Sequence, residues 1–171
     1  NPSPYAPVSR LFWNEFYLDV TRIPELQRSR MARLMIHSSG FQTDLKSLRG
    51  APLIEYRPLM ALKRKILEEL LHTLTNRSTT RRAAFEHFIE THPQAQDYAA
   101  FRAKVEREAA PWELWPAVHR DGRLAAGDYD ERVKQYHLYV QWQAEEQMRA
   151  LAEKTRTGGP ALYLDFPLGV N

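Results

Sequence analysis

Residues 128–166 read DYDERVKQYHLYVQWQAEEQMRALAEKTRTGGPALYLDF. Val133, Tyr136, Val140, Ala144, Met148 and Leu151 recur at three- and four-residue steps or their sums, which predicts a long helix with those side chains on one side. Asp128 stands where an N-cap belongs, and Glu131 three places later makes a relative of the capping box. The helix should run to about Lys154, with Gly158-Gly159-Pro160 ending it. Residues 161–166, ALYLDF, are rich in β-formers and predict a strand. A lone strand leaves its backbone groups unpaired and needs a neighbour. A helix feeding a strand is half of a parallel βαβ unit. The pattern therefore predicts part of an α/β structure.

Upstream, the periodicity is helical almost throughout. Glycine supplies only 7 of 171 residues, below the usual share of about 7%, and a sheet-rich fold would need more for its turns. Over residues 25–48, Leu26, Met31, Leu34 and Met35 are followed by Phe41, Leu45 and Leu48, with a break at Ser38-Ser39-Gly40 and a stop at Gly50-Ala51-Pro52. Leu59, Leu62, Ile66, Leu70 and Leu74 then make one clean stripe, and Lys63 falls beside it. Thr79 or Thr80 can cap a helix that carries Phe85, Phe88 and Ile89. His92-Pro93 breaks it, and a short helix with Tyr98, Phe101 and Val105 follows. Trp112 and Trp115, in APWELWP, are expected to fill gaps between packed elements. The first 24 residues differ. Pro2, Pro4, Pro7 and Pro24 keep them irregular, and Tyr17 to Val20 suggest a short extended segment. Its aromatic residues need a covering surface, either later in the chain or in something larger.

Composition excludes several classes. The chain is 43% hydrophobic and 26% charged with a net charge of +3, which excludes intrinsic disorder. No stretch approaches the roughly 20 apolar residues of a membrane span. There is no cysteine, so disulfides, thiol catalysis and Cys-based zinc sites are absent, in keeping with a reducing, cytoplasmic setting. Asn1-Pro2-Ser3-Pro4 has neither the basic nor the apolar region of a secretory leader. His87 and His92 are five apart, a spacing unsuited to a helical zinc site, so no metal and no cofactor is expected. Glu68-Glu69 and Glu145-Glu146 are adjacent on helices and point apart, as solvated faces do. Arg77, Arg81 and Arg82 read as a solvated helix end, without the aromatic platform of a nucleic-acid site. Tyr5, Phe12, Trp13 and Tyr17 offer flat faces of the kind on which sugar rings stack, or else pack into a core. Tyr5, on a proline-bounded loop, is the best candidate for exposure. Asp165 sits near the end of the predicted strand, where (β/α)₈ barrels carry their chemistry, and could equally cap a turn.

Four stretches in order, SPYAPVSRLFWNEFYLDV, IEYRPLMALKRKILEELL, YAAFRAKVEREAAPWELWP and YHLYVQWQAEEQM…ALYLDFPLGV, resemble the 4-α-glucanotransferases, the amylomaltases or disproportionating enzymes of glycoside hydrolase family 77. The resemblance implies a (β/α)₈ barrel with helical insertions, acting on α-1,4-glucans and maltooligosaccharides. It implies transfer of a glucan segment to the 4-hydroxyl of an acceptor, with retention. Tyr5 matches the tyrosine lining the donor sugar's subsite, and Asp165 the aspartate near the same sugar. The family's nucleophilic aspartate, acid/base glutamate and second aspartate match no position here, so no catalytic residue is assigned. The expected organisation is a barrel-derived loop and short strand at 1–24, a helical insertion subdomain at 25–126, and a long helix with a barrel strand at 127–171. Taken alone the piece should be mainly α and inactive, its partners being glucan and the remainder of the parent chain. The alternative is a non-catalytic α-glucan-binding or helical interaction module, with no nucleic-acid or membrane role.

Overall fold

Tyr136 to Ala144, nine consecutive residues, are all buried, and the helix that carries them is the axis of the molecule. A computed structural model of the chain describes residues 8–76, 79–108, 110–156, 158 and 160. The helices among them are α1 (Glu25–Arg28), α2 (Arg30–His37), α3 (Ser39–Gly50), α4 (Tyr56–Thr75), α5 (Thr80–Thr91), α6 (Pro93–Arg107), α7 (Ala117–Arg120) and α8 (Glu131–Arg156). Short 3₁₀ turns cover Glu15–Tyr17, Val20–Arg22 and Trp112–Leu114. The described residues contain no strand, so the mainly α expectation holds for them. The predicted strand at 161–166 lies outside them.

The most extensive packing is α6 on α8, where Ala95, Ala99 and Ala103 let the two helices approach closely. From the other side α4 brings Leu62, Ile66, Leu67, Leu70 and Leu74, the predicted stripe with Leu67 added and Leu59 only half-buried. Phe85 of α5 closes the core against Tyr139 and Trp142, with Phe88 buried and Ile89 partly buried in the same core.

Local chemistry explains most boundaries. Ser29 and Ser38 cap α2 and α3 by accepting from the Ala32 and Phe41 amides, and Thr79 caps α5 by accepting from Arg82. Pro93 opens α6 at a position where its missing N–H costs nothing.

Several expectations need correction. The cap of α8 is Asp130, whose Oδ1 accepts from the Arg132 and Val133 amides at 2.8 and 3.4 Å; Asp128 instead closes the preceding turn through the Ala125 amide at 2.8 Å. α8 is not one-sided, because its middle is buried all round. Tyr17–Val20 is not extended as a unit; it joins two 3₁₀ turns capped by Asn14 and Asp19. The helical run from Glu25 breaks at Ser29 as well as Ser38. Met31 and Leu34 face outward, as does Trp112, which fills no gap, whereas Trp115 is buried. α6 is a full 15 residues and not short.

Candidate functional site

The irregular start of the chain is held by side chains standing in for a neighbouring strand. Gln141 of α8 donates through Nε2 to the Trp13 carbonyl at 2.8 Å and accepts the Trp13 N–H at 2.9 Å. Six residues on, Gln147 makes the same pair of bonds to Asp19, both at 2.9 Å. Between them Lys63 donates to the Phe16 and Leu18 carbonyls at 2.5 and 3.0 Å, and its Nζ lies 5.3 Å from the centre of the Phe16 ring. Burial lowers the Lys63 pKa, against the opposing pull of Glu15 and Asp19. The covering surface that the aromatic block required is thus α4 and α8, later in the same chain.

Beside this segment lies an open cleft of about 480 Å³ between Leu11, Phe12 and Trp13 on one wall and His92, Pro93 and Glu145 on the other. Phe12 stacks on Tyr98, with centroids 4.4 Å apart and planes inclined by 11°, so one of its faces is already used. His92 stacks on Phe88 at 4.4 Å and holds Nε2 3.5 Å from Glu145. Glu145 is the only carboxylate among the described lining residues. Cleaving a glycosidic bond takes a pair of carboxyl groups flanking it. This cleft can hold and orient a ligand, but its described residues supply no such pair.

Sequence reasoning missed two internal polar clusters. In the first, buried Glu25 (3% exposed) accepts from Arg81 Nε at 2.8 Å, the Tyr139 hydroxyl at 3.1 Å and Gln143 Nε2 at 3.3 Å. Arg81 also reaches Glu146 at 2.6 Å and lies 4.2 Å over the Trp142 ring. Arg81 is therefore a core cation and not part of a solvated basic end, and Glu146 is its partner. Arg77 lies outside the described residues. Burial raises the Tyr139 hydroxyl's pKa, and the Glu25 carboxylate raises it further.

In the second cluster, Glu106 accepts from Arg64 and from His137 Nε2, each at 2.7 Å, and His137 Nδ1 faces Glu15 at 3.8 Å. Burial alone would raise the Glu106 pKa, but the bonds from His137 and Arg64 prevail and hold it down at about 2. Burial keeps His137 below its ordinary value despite Glu106. Both clusters use residues spaced widely in sequence, so no local motif announces them. The one signal was their type: Glu, Gln and His inside otherwise apolar helical runs.

Tyr5 and Asp165, the two expected donor-site residues, lie outside the described residues. Trp13 lies in the cleft wall, half-buried, while Tyr17 projects outward beyond it. No group of three His, Asp or Glu among the described residues could hold a metal ion, and none of the described helices is long and apolar enough to cross a membrane.

Fold and cleft together define a helical domain with internal polar clusters and an aromatic-walled groove. By sequence, the chain belongs to the 4-alpha-glucanotransferase family, whose model matches residues 1–171. Among curated relatives, 4-alpha-glucanotransferases of Mycobacterium bovis and Mycobacterium tuberculosis are each 31% identical over 181 residues, covering 99% of this chain and 24% of theirs. The 4-alpha-glucanotransferase of Haemophilus influenzae is 26% identical over 192 residues, covering 99% of this chain and 27% of its own. The chain thus spans about a quarter of the length of the curated relatives it matches.

Proposed function

We propose that the protein to which this chain belongs transfers α-1,4-glucan segments between maltodextrins with retention. Its (β/α)₈ barrel is entered by residues 1–24 and 127–171 and interrupted by the helical insertion 25–126. The observation that carries this is the family match along the whole chain. In this reading Tyr5 and Asp165 line the donor sugar's subsite, and the cleft beside Trp13 forms part of the groove wall. The parent is cytoplasmic, in keeping with a chain of 171 residues without cysteine.

Retaining transfer requires a nucleophilic carboxylate and an acid/base carboxyl group about 5–5.5 Å apart. No position here corresponds to either in the family's pattern, so the chain by itself contributes binding and shape without chemistry. Exposed Leu11 and Leu53, 76% and 81% accessible, support the remainder of the parent as their cover. The test is incubation of the isolated chain, and of the full parent, with maltotriose. The parent should build longer maltodextrins and the isolated chain none. Transfer by the isolated chain would refute its assignment as a non-catalytic part, and inactivity of the parent would refute the activity.

A further inference from the structure

A second pocket, of about 210 Å³, lies among α6, the Trp112–Leu114 turn, α7 and the start of α8. Trp115 forms its floor. That ring is nearly inaccessible, with Phe101 against it at 5.6 Å and the Lys104 ammonium 5.1 Å from its centre, and its Nε1 is committed to the Ala110 carbonyl at 3.2 Å. Trp112 stands at the rim with 41% of its surface exposed. Tyr129 makes a wall, with Lys134 Nζ 3.4 Å from its hydroxyl oxygen and 5.3 Å from its ring centre. From α6 come Gln96 and Asp97. Gln96 spends its amide N–H on the Ile89 carbonyl at 3.0 Å, and its carboxamide oxygen is left over. Asp97 makes no hydrogen bond or ion pair among the described residues.

Each part answers to one kind of ligand. A flat, accessible indole suits a ring with an apolar face of C–H bonds. The Asp97 carboxylate and Gln96 oxygen accept from hydroxyl groups, and the Lys134 ammonium donates to them. Arg120 and His119 also line the pocket, but Arg120 donates to the Glu113 carbonyl at 3.4 Å, His119 faces Asp128 at 3.5 Å and Lys134 lies 3.9 Å from Glu131. Asp97 is thus the lining charge without a partner among the described residues, and it would repel a phosphate. The volume falls below the range of about 300–1,000 Å³ typical of larger ligands, which limits the occupant to a single small ring.

We propose that this pocket binds one neutral hexopyranose unit, stacked on Trp112 with its hydroxyls held by Asp97, Gln96 and Lys134. The unit can be a free hexose or one residue of a glucan; the glucan assignment rests on the function proposed above, and the hexose assignment does not.

The test is calorimetric titration of the 171-residue chain with glucose, galactose and maltoheptaose, repeated on Trp112→Ala and Asp97→Ala, with circular dichroism to verify the fold. Both side chains are exposed, so both variants should fold. The expected result is saturable binding of glucose or maltoheptaose that weakens about tenfold or more in each variant, as truncating a pocket anchor does. Glucose and maltoheptaose binding alike would identify a single hexose as the ligand, and maltoheptaose alone a glucan. No saturable binding, or binding unchanged in Trp112→Ala, would overturn the proposal even if the parent remodels maltotriose. Trp112-dependent binding of galactose alone would uphold the hexose pocket and overturn its glucan assignment. Parental transfer measured beside it separates failure of the pocket from failure of the proposed function.

Discussion

Arg81 bridges two carboxylates far apart in sequence, Glu25 and Glu146, and the first of these is shut away from water. Removing the cation would strand a buried anion with only Tyr139 and Gln143 as donors. Arg81→Met should therefore destabilise the protein by about 3 kcal/mol, the lower end for breaking a buried pair, read from the urea unfolding midpoint. Its neighbour Arg82 pairs with Glu86 where both side chains are largely exposed, so Arg82→Met should change stability by less than about 1 kcal/mol. Sequence alone places these two arginines side by side in one basic cluster. What separates them is position on α5: only Arg81 falls on the side facing α8, and only a partner elsewhere in the chain could reveal that.

At the scale of the element, α4 and α8 show when periodicity is informative. α4 buries one face, so its leucines stand out against charged neighbours and the stripe from Leu59 to Leu74 falls inside the helix Tyr56–Thr75. α8 is packed from every side, and its buried middle contains His137, Gln141 and Gln143, each satisfied by a distant partner. Polar letters in a buried turn imitate a solvated face, and the spacing of Val140 and Ala144 could not correct this. The start of α8 was blurred for a different reason: Asp128 and Asp130 are both chemically able to cap, and only geometry selects the second. Asp130→Ala should cost about 1 kcal/mol, measured as a lower thermal midpoint with an unchanged circular dichroism spectrum at low temperature.

For the whole molecule, acid should be the weak point. Glu106 titrates near 2 in the folded protein against an ordinary value of 4.5, so its stabilising effect is complete above about 4.5 and is lost as pH falls toward 2. His137 is also held below its ordinary 6.5, so protonating it likewise opposes folding, beginning as pH drops under that value. The two effects share a sign. Thermal stability should decline from about pH 6.5 downward, and His137→Gln should remove the upper part of that decline and reduce the part below 4.5, where Arg64 still holds Glu106 down. A profile flat from pH 7 to 3 would show that this cluster does not govern acid stability. The helical class was readable from scarce glycine and regular leucine spacing. Tyr5 and Asp165 stand out in the sequence as an aromatic residue on a loop and an acid at a strand end, but their donor-site role comes only from the family resemblance, because neither pattern by itself specifies a sugar.

Trp13 and Asp19 are separated by as many residues as Gln141 and Gln147, the two glutamines that grip them. Six residues of α-helix advance about 9 Å, so the lead-in strap has been cut to match that distance. A side chain that points outward, as Tyr17 does, is free to vary, whereas Leu18 is buried and Asn14 and Asp19 cap the two turns. Its length is not: an insertion or deletion between the two grips would force one of them to let go.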